Sequence, residues 1–597
     1  MKPLFYLNKY IWKYKYRLLL GIVFIFLSNY FSLFPAEYVR KSLDEAIVSF
    51  DQYHQADNPV EKNLIKDRVF NAVSVYILMI LLMTFLKGLF TFFTRQTIII
   101  MSRLIEYDLK NAIYKHYQVL DMDFYRQNST GDIMNRISED LNRVRMYLGP
   151  GIMYSINLIA LFIMVVSTML SINVRLTLIA LIPMPFLAVM IYFVSRQINR
   201  KSTIAQQSLS KIMQWAQETF SGIRIIKSMA KEKVFERIYK DASDDYRKKN
   251  IDLYKVEALF YPSMLIMIGL STVFTVYFGG KQVFMGNLTY GNIAEFVIYV
   301  NMLTWPITSI GWVTSIIQRA AASQRRINEF LQTQPSIKND EGMTPELNGD
   351  ISVEGVYYKY PGKNYWALEN IHFRLKKGQK IGIIGRTGSG KTTLLQLLLR
   401  IMDPQKGKIY YDRWEIREIK PSYLRSKIGY VPQDVFLFSD TIESNVLFGL
   451  DEYQSKQVST EEALQWVDLS ETIKELPAGL NSVIGERGVM LSGGQKQRLS
   501  IARAIVTKPL WLFLDDAFSA IDNDTEQKIL QNIFQRFPDT SMIITSHKVK
   551  SIMHCDYIYV MDRGKIVEEG THQTLLEHNK LYCRFYHQQM IETVEDA

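Results

Sequence analysis

Six apolar stretches dominate the first half of this sequence, at roughly 18–36, 74–94, 146–172, 176–195, 258–280 and 293–317. Each is long enough to cross a bilayer, which takes about 20 helical residues. In hydrocarbon a backbone must satisfy its own hydrogen bonds, so a chain carrying six such stretches is committed to a helical membrane domain. The first stretch is too internal and too strongly flanked to read as a cleaved signal peptide. Before it lies MKPLFYLNKYIWKYKYR, with five basic residues and no acid. That is an aromatic and cationic interfacial segment expected on the cytoplasmic side. Six crossings then put the other terminus in the cytoplasm as well.

The connections have unequal lengths. The turn near 171–175 and the loop near 279–291 are short, and 37–73, rich in Asp and Glu, reads as the one sizeable external loop. The inside connections, roughly 95–145 and 196–257, are long, charged, helical in pattern and free of proline. At ~1.5 Å per residue, twenty extra helical residues carry a span about 30 Å past the membrane. Such helices reach for something in the cytoplasm; a cytoplasmic loop domain is the plainer reading.

Residues 332–350, QTQPSIKNDEGMTPELNGD, are polar and hold two prolines, as a linker does. Beyond it KIGIIG, KIGYV, LWLFL, SMIIT and YIYVM alternate with helical patterns. This order predicts a mainly parallel α/β domain. The expected architecture is a membrane protein: a six-helix transmembrane domain with long intracellular helices over 1–331, the linker 332–350, and an α/β domain over 351–597.

The net charge of +11 raises the question of nucleic acid. The basic residues, however, crowd the ends of the apolar runs, which fits anionic membrane lipid and no nucleic acid. Cys555 and Cys583 are the only cysteines, which excludes a disulfide framework and points to a reducing compartment. His372, His554, His572, His578 and His587 have no metal-ligand spacing and read as surface residues. The tyrosines and methionines of the spans read as packing and interface belt. Lys87 sits inside the second span. It either lines a cavity or snorkels toward the nearby end.

GRTGSGKTT, 385–393, fits G-x-x-x-x-G-K-[ST] between a strand and a helix. Gly385, Gly388 and Gly390 let backbone N–H groups close around phosphates at a helix N-terminus. Lys391 neutralises the β and γ phosphates, Thr392 offers a hydroxyl to Mg²⁺, and Thr393 follows on the same turn. In LWLFLDDAFSAID, 510–522, Asp515 ends the buried strand and orients the Mg²⁺ shell. In LSGGQKQRLSIARAI, 491–505, Ser492 caps the helix that follows, and Gly493 and Gly494 leave its N–H groups open to an anion.

These strings together resemble the ABC transporters of exporter type, with membrane and nucleotide domains fused as a half-transporter, over essentially the whole chain. The resemblance implies further roles. Tyr360 in YYKYPG is the aromatic that stacks on adenine, and Gln433 in YVPQDVFLF touches Mg²⁺ and senses the γ-phosphate. GERG, 485–488, meets the coupling helices; SAID, 519–522, is the D-loop; His547 is the switch histidine. FYRQNSTGD near 124–132 and QETFSGIRIIKS near 217–228 are similar to the two coupling regions. ATP and Mg²⁺ are the implied cofactors.

The family's catalytic base follows the strand-end Asp and is normally Glu; here it is Asp516. One missing methylene draws the carboxylate back by about 1.5 Å, which matters for activating a water in line with the γ-phosphate. A backbone shift restoring the reach is the alternative. In the family two nucleotide domains sandwich two ATP molecules, each between one chain's phosphate loop and the other chain's signature. An intact Ser492-Gly493-Gly494-Gln495 beside Asp516 resembles one member of a heterodimeric exporter whose partner carries the Glu. The expectation is an ATP-driven exporter subunit in a plasma membrane, a bacterial inner membrane by preference, moving a small molecule, lipid or peptide. The alternatives are a homodimeric lipid flippase and an ATP-gated channel, which ion current far above ATP turnover would reveal.

Overall fold

The computed structural model describes residues 2–485 and 491–595. The chain divides into two compact units, Met1–Tyr117 with Thr130–Thr333, and Gln118–Ser129 with Gln334–Ala597.

The first unit is built on six helices long and apolar enough to cross a membrane: α1 Lys15–Gln55, α2 Pro59–Val119, α3 Thr130–Ile172, α4 Val174–Ser221, α5 Glu232–Phe284 and α6 Tyr290–Gln332. All exceed a bilayer crossing; α2, at 61 residues, is about 90 Å long at ~1.5 Å per residue. The charged, proline-free connections are mostly helical continuations of the spans, broken at 120–121 and 128–129 around a short helix Met122–Gln127 and at 222 and 229–231 around a short helix Ile223–Ser228. Segment 37–73 departs from expectation. It is no loop: α1 runs on to Gln55, and α2 restarts at Pro59 after the turn Ala56–Asn58. Asn58 caps the new helix by accepting from the Val60 amide at 3.0 Å, and Pro59 stands in the first turn, where a missing N–H costs nothing.

The acids of that segment do structural work on α6. Asp44 accepts from Thr289 Oγ1 and from the Gly291 amide, each at 2.9 Å, at the α6 N-terminus. A carboxylate there satisfies orphan donors and meets the positive end of the helix dipole. Arg40 Nε lies 2.9 Å from the buried Glu295 of α6. At the other end, Asp140 of α3 is buried (1 % exposed) and accepts from Ser323 Oγ at 2.8 Å and Arg326 Nε at 2.9 Å. Buried carboxylates survive only with such donors.

The second unit holds two sheets. The first has order β2-β1-β4-β5, from β1 Ile351–Tyr358, β2 Leu368–Leu375, β4 Lys406–Tyr411 and β5 Trp414–Glu415, all antiparallel. The second has order β10-β9-β3-β8-β7-β6, from β3 Lys380–Gly385, β6 Ile428–Val431, β7 Trp511–Asp515, β8 Ser541–Ser546, β9 Tyr557–Asp562 and β10 Lys565–Gly570. Five of its strands run parallel; β10 closes the edge as an antiparallel hairpin with β9. The predicted strands KIGIIG, KIGYV, LWLFL, SMIIT and YIYVM fall on β3, β6, β7, β8 and β9.

Strand β7 shows why such strands read as unbroken apolar runs. Trp511 and Phe513 enter the core layer beside the antiparallel sheet, while Leu512 and Leu514 enter the helical layer on the other face. A parallel strand is covered on both sides. The indole of Trp511 donates to Gly349 O at 2.9 Å, so its one polar atom is not stranded. Because β3, β7 and β8 are in parallel register, their carboxyl ends meet at one edge, with Asp515 opposite Thr545 and Ile384 opposite Ser546. Parallel α/β sheets bind ligands at that edge.

Asp140→Ala leaves Arg326 and Ser323 without their acceptor. The expected loss is about 2–3 kcal/mol, read as a lowered thermal midpoint of the detergent-solubilised protein, and Asp140→Asn should recover part of it. An unchanged midpoint would contradict the assigned contact.

Candidate functional site

The loop after β3 turns sharply into helix α7, Lys391–Leu398. The turn depends on Gly390, whose φ of +105° is a left-handed conformation that side-chain-bearing residues rarely adopt. A Cβ there would also lie 2.9 Å from Ala367 O. Lys391 folds back over the loop and donates to Gly385 O at 2.7 Å and Arg386 O at 3.2 Å. Burial holds its ammonium below the usual lysine range, against the opposing pull of Asp516 and Asp515. A cation so placed gains by meeting an anion above the loop.

Asp515 ends β7 and is 1 % exposed. Its Oδ1 accepts from Thr545 Oγ1 at 2.7 Å and from Thr392 Oγ1 at 3.2 Å. Its Oδ2 is buried with no hydrogen-bond partner among the described residues. Burial holds this carboxyl above the usual range; the two hydroxyls pull it down, Asp516 pushes it further up, and Lys391 pulls it down. An orphaned buried carboxylate oxygen beside a threonine hydroxyl is an oxygen donor set suited to a hard divalent cation.

Asp516 takes a left-handed backbone, φ +49°, as the chain leaves the sheet. Asp is among the few residues that tolerate it. Its amide donates to Thr545 O at 3.0 Å and Thr545 Oγ1 at 3.2 Å. Its carboxylate, 12 % exposed, meets His547 Nδ1 at 2.9 Å through Oδ1 and 3.2 Å through Oδ2. The Asp516 side chain therefore spends its reach on the histidine that follows β8.

Tyr360, Gly388, Lys391, Thr392, Thr393, Gln433, Asp515, Asp516 and His547 line one cavity of about 560 Å³, with Gly390 at its floor. Tyr360 OH lies 2.8 Å from Thr393 Oγ1. Gly385 stands behind the loop, at the end of β3 and outside the lining. The signature residues are also outside it. Ser492 caps helix α8, Gly493–Ile505, in a reciprocal box: the Gln495 amide donates to Ser492 Oγ at 3.3 Å, and the Ser492 amide donates to Gln495 Oε1 at 2.8 Å. A Cβ at Gly494 would lie 2.8 Å from Ala520 O, so only glycine lets the SAID segment pack this close. Beyond Gly485, the GERG stretch lies outside the described residues.

Three contributors escaped the sequence reading. Thr545 fixes both adjacent aspartates, one through its hydroxyl and the other through its carbonyl as well. Gln497 holds the SAID segment, donating to Ser519 Oγ at 2.8 Å and accepting from the Ala520 amide at 2.9 Å. Arg126 donates to Gln396 Oε1 at 2.6 Å and lies 5.0 Å from the Tyr360 ring centre. Gln497 stands inside the quoted signature string and Arg126 inside the quoted FYRQNSTGD, though neither string singles the residue out; Thr545 belongs to no quoted motif. Of the histidines expected at the surface, His572 is half-buried and bonds Tyr582 OH at 2.7 Å; burial lowers its basicity.

Comparison with known proteins agrees with this geometry. Residues 18–307 match the profile of the ABC transporter transmembrane region, and 368–519 that of the ABC transporter family. A probable multidrug resistance ABC transporter ATP-binding/permease protein, YheI of Bacillus subtilis (strain 168), is 36% identical over 499 residues, 83% of this chain and 85% of YheI. The multidrug resistance-like ATP-binding protein MdlA of Escherichia coli (strain K12) is 33% identical over 490 residues, 82% and 83% of the two chains. A solved bacterial Atm1-family ABC exporter with ATP bound has the same fold, with TM-score 0.77 at 22% identity, covering 96% of this chain and 99% of that one.

Thr545→Val should weaken ATP binding at this cavity about 10-fold, a loss of about 1.4 kcal/mol in positioning hydrogen bonds, while Thr545→Ser should bind nearly as before. Photolabelling of this chain with azido-ATP reads the change. Equal labelling of the valine variant would remove Thr545 from the site.

Proposed function

This chain belongs to the ABC transporter family, and from that premise we propose that it is one half of an asymmetric ATP-driven exporter, holding ATP in a slow site while completing a fast one on a partner. The observation that carries the proposal is Asp516. Its carboxylate is one methylene shorter than the family's glutamate and is already engaged with His547 at 2.9 Å.

The chain's residues take these parts. The loop amides around Gly388 and Gly390, with Lys391, hold the phosphates, and Tyr360 carries the adenine. Thr392, Asp515 and Gln433 hold Mg²⁺, and the free Asp515 Oδ2 supports this placing. When bound, Mg²⁺ supplies the positive charge that lets phosphates approach two neighbouring carboxylates. Hydrolysis needs a base close enough to take a proton from water as it attacks the γ-phosphorus and the bond to ADP breaks. Asp516 keeps the charge but stands back, and His547 holds it there. Binding is retained and cleavage slows.

Ser492, Gly493, Gly494 and Gln495 lie outside this cavity's lining, and in this reading they serve a second ATP. That ATP sits on a partner half-transporter whose own base is Glu. ATP-driven closure of the paired domains then reaches the membrane helices through the long extensions of α2 to α5, and hydrolysis at the partner's site resets them. Both termini lie in the cytoplasm, and the membrane is a bacterial inner membrane, in keeping with the basic, aromatic N-terminal segment and bacterial relatives. Export of a small-molecule, lipid or peptide cargo is in keeping with relatives named for multidrug resistance.

In the complex purified from its own membrane, Asp516→Ala should leave most of the steady-state ATP hydrolysis, and Glu→Gln at the partner's base should remove it by about 10²–10⁴-fold. Asp516→Glu should raise turnover at the slow site. A complex whose mass is two copies of this chain, or one silenced by Asp516→Ala while still binding ATP, would overturn the asymmetric reading.

A further inference from the structure

The membrane unit contains a cavity of about 350 Å³ between α1, α2, α3 and α6. Its charge is one-sided. Lys87 and Arg95 of α2 both line it, eight residues apart on that helix, and no carboxylate does. Neither cation has an ion-pair partner among the described residues. Lys87 thus lines this cavity while remaining exposed. An ionisable group inside a span costs about 2.5–3.5 kcal/mol at the helix centre and marks a functional site with an absent partner.

A second observation points the same way. Asn29 of α1 lines the cavity, is 6 % exposed, and its Nδ2 has no hydrogen-bond acceptor among the described residues. A buried amide donor left unmade costs about 1–3 kcal/mol. Two cations and a spare N–H donor therefore face one space and lack acceptors. The neighbouring hydroxyls do not supply them: Thr91 Oγ1 donates to Lys87 O at 2.8 Å, and Ser28 Oγ lies 2.8 Å from Thr91 Oγ1. The rest of the lining is mixed: Ser32, Thr94, Asn157 and Asn301 are polar, while Ile25, Leu161, Met153 and Met302 form an apolar part of the wall. The volume falls in the usual range for small-molecule sites.

We infer that this cavity binds the anionic headgroup of an amphiphile, with Lys87, Arg95 and Asn29 donating to its phosphate or carboxylate oxygens and the apolar wall taking the start of its tail. A cationic amphiphile would bring a third positive charge to a space that already holds two and no carboxylate, and is disfavoured. The inference rests on the export reading only for the statement that what binds here is cargo.

The test is labelling of the purified complex, without nucleotide, by a photoreactive dodecyl phosphate in phosphatidylcholine nanodiscs, with the adducts mapped by mass spectrometry. Label is expected on α1, α2 and α6 around the cavity. Unlabelled dodecyl phosphate should compete and dodecyltrimethylammonium should not. Phosphatidylglycerol doped into the discs should compete if the site takes bilayer lipid, and fail to if it takes only free amphiphiles. The double variant Lys87→Gln with Arg95→Gln should lose at least about 10-fold in labelling, as expected for two charge-assisted contacts. Lys87→Arg should keep it, and Lys87→Glu should shift competition toward the ammonium probe. Equal competition by the cation, or labelling unchanged in the double variant, overturns the inference. Labelling needs no ATP turnover, so it fails or succeeds separately from the asymmetric reading, which ATP hydrolysis by the same preparations reports.

Discussion

A carboxylate at the end of a fully buried strand organises the nucleotide-binding unit. Asp515 follows four apolar residues that are divided between two core layers, so the sheet carries it into a place water does not reach. Such a group must be hydrogen-bonded or neutralised. Thr545 answers from the adjacent strand and Thr392 from the helix after the phosphate loop, each aligned because β3, β7 and β8 run parallel and end together. What they leave unanswered is Oδ2. The same few ångströms fix Asp516, whose amide is tied to Thr545 and whose carboxylate is tied to His547. Sheet register, the phosphate loop and the proposed asymmetry all meet at this pair of aspartates.

The membrane unit obeys the same rule with a different outcome. Asp140 and Asp44 each have donors supplied by α6 or its N-terminal turn, and Glu295 has Arg40. These pairs tie helices together. Lys87, Arg95 and Asn29 break the pattern: no carboxylate lines their cavity, and Asn29 Nδ2 has no hydrogen-bond partner among the described residues.

Much of this was legible in the sequence, for identifiable reasons. A strand buried on both faces has no room for polar residues, so β3, β7, β8 and β9 stood out as apolar runs. The phosphate loop and the signature need glycine where a side chain would strike backbone, as at Gly390 and Gly494, and glycines at fixed spacing are visible. The helical nature of 37–73 was hidden by its acids, which resemble loop composition although several cap or pair with neighbouring helices. The true boundary signal was Asn58 before Pro59. Thr545 was invisible because a strand-end threonine looks the same whether or not it holds a carboxylate. Arg126 was invisible because its partners, Gln396 and Tyr360, lie more than 230 residues away. The absent partners of Lys87 could not be inferred from a span's own sequence, since they depend on which faces of α1, α3 and α6 surround it.

The central claim is that this chain's cavity keeps ATP while another site turns over. The direct measurement is a nucleotide chase. The complex is loaded with radiolabelled Mg-ATP, allowed to turn over, diluted into unlabelled Mg-ATP, and its bound nucleotide is recovered and identified at intervals. The account predicts that one labelled nucleotide per complex stays bound as intact ATP through many turnovers and crosslinks to this chain. Release of all the label as ADP at the steady-state rate would contradict it.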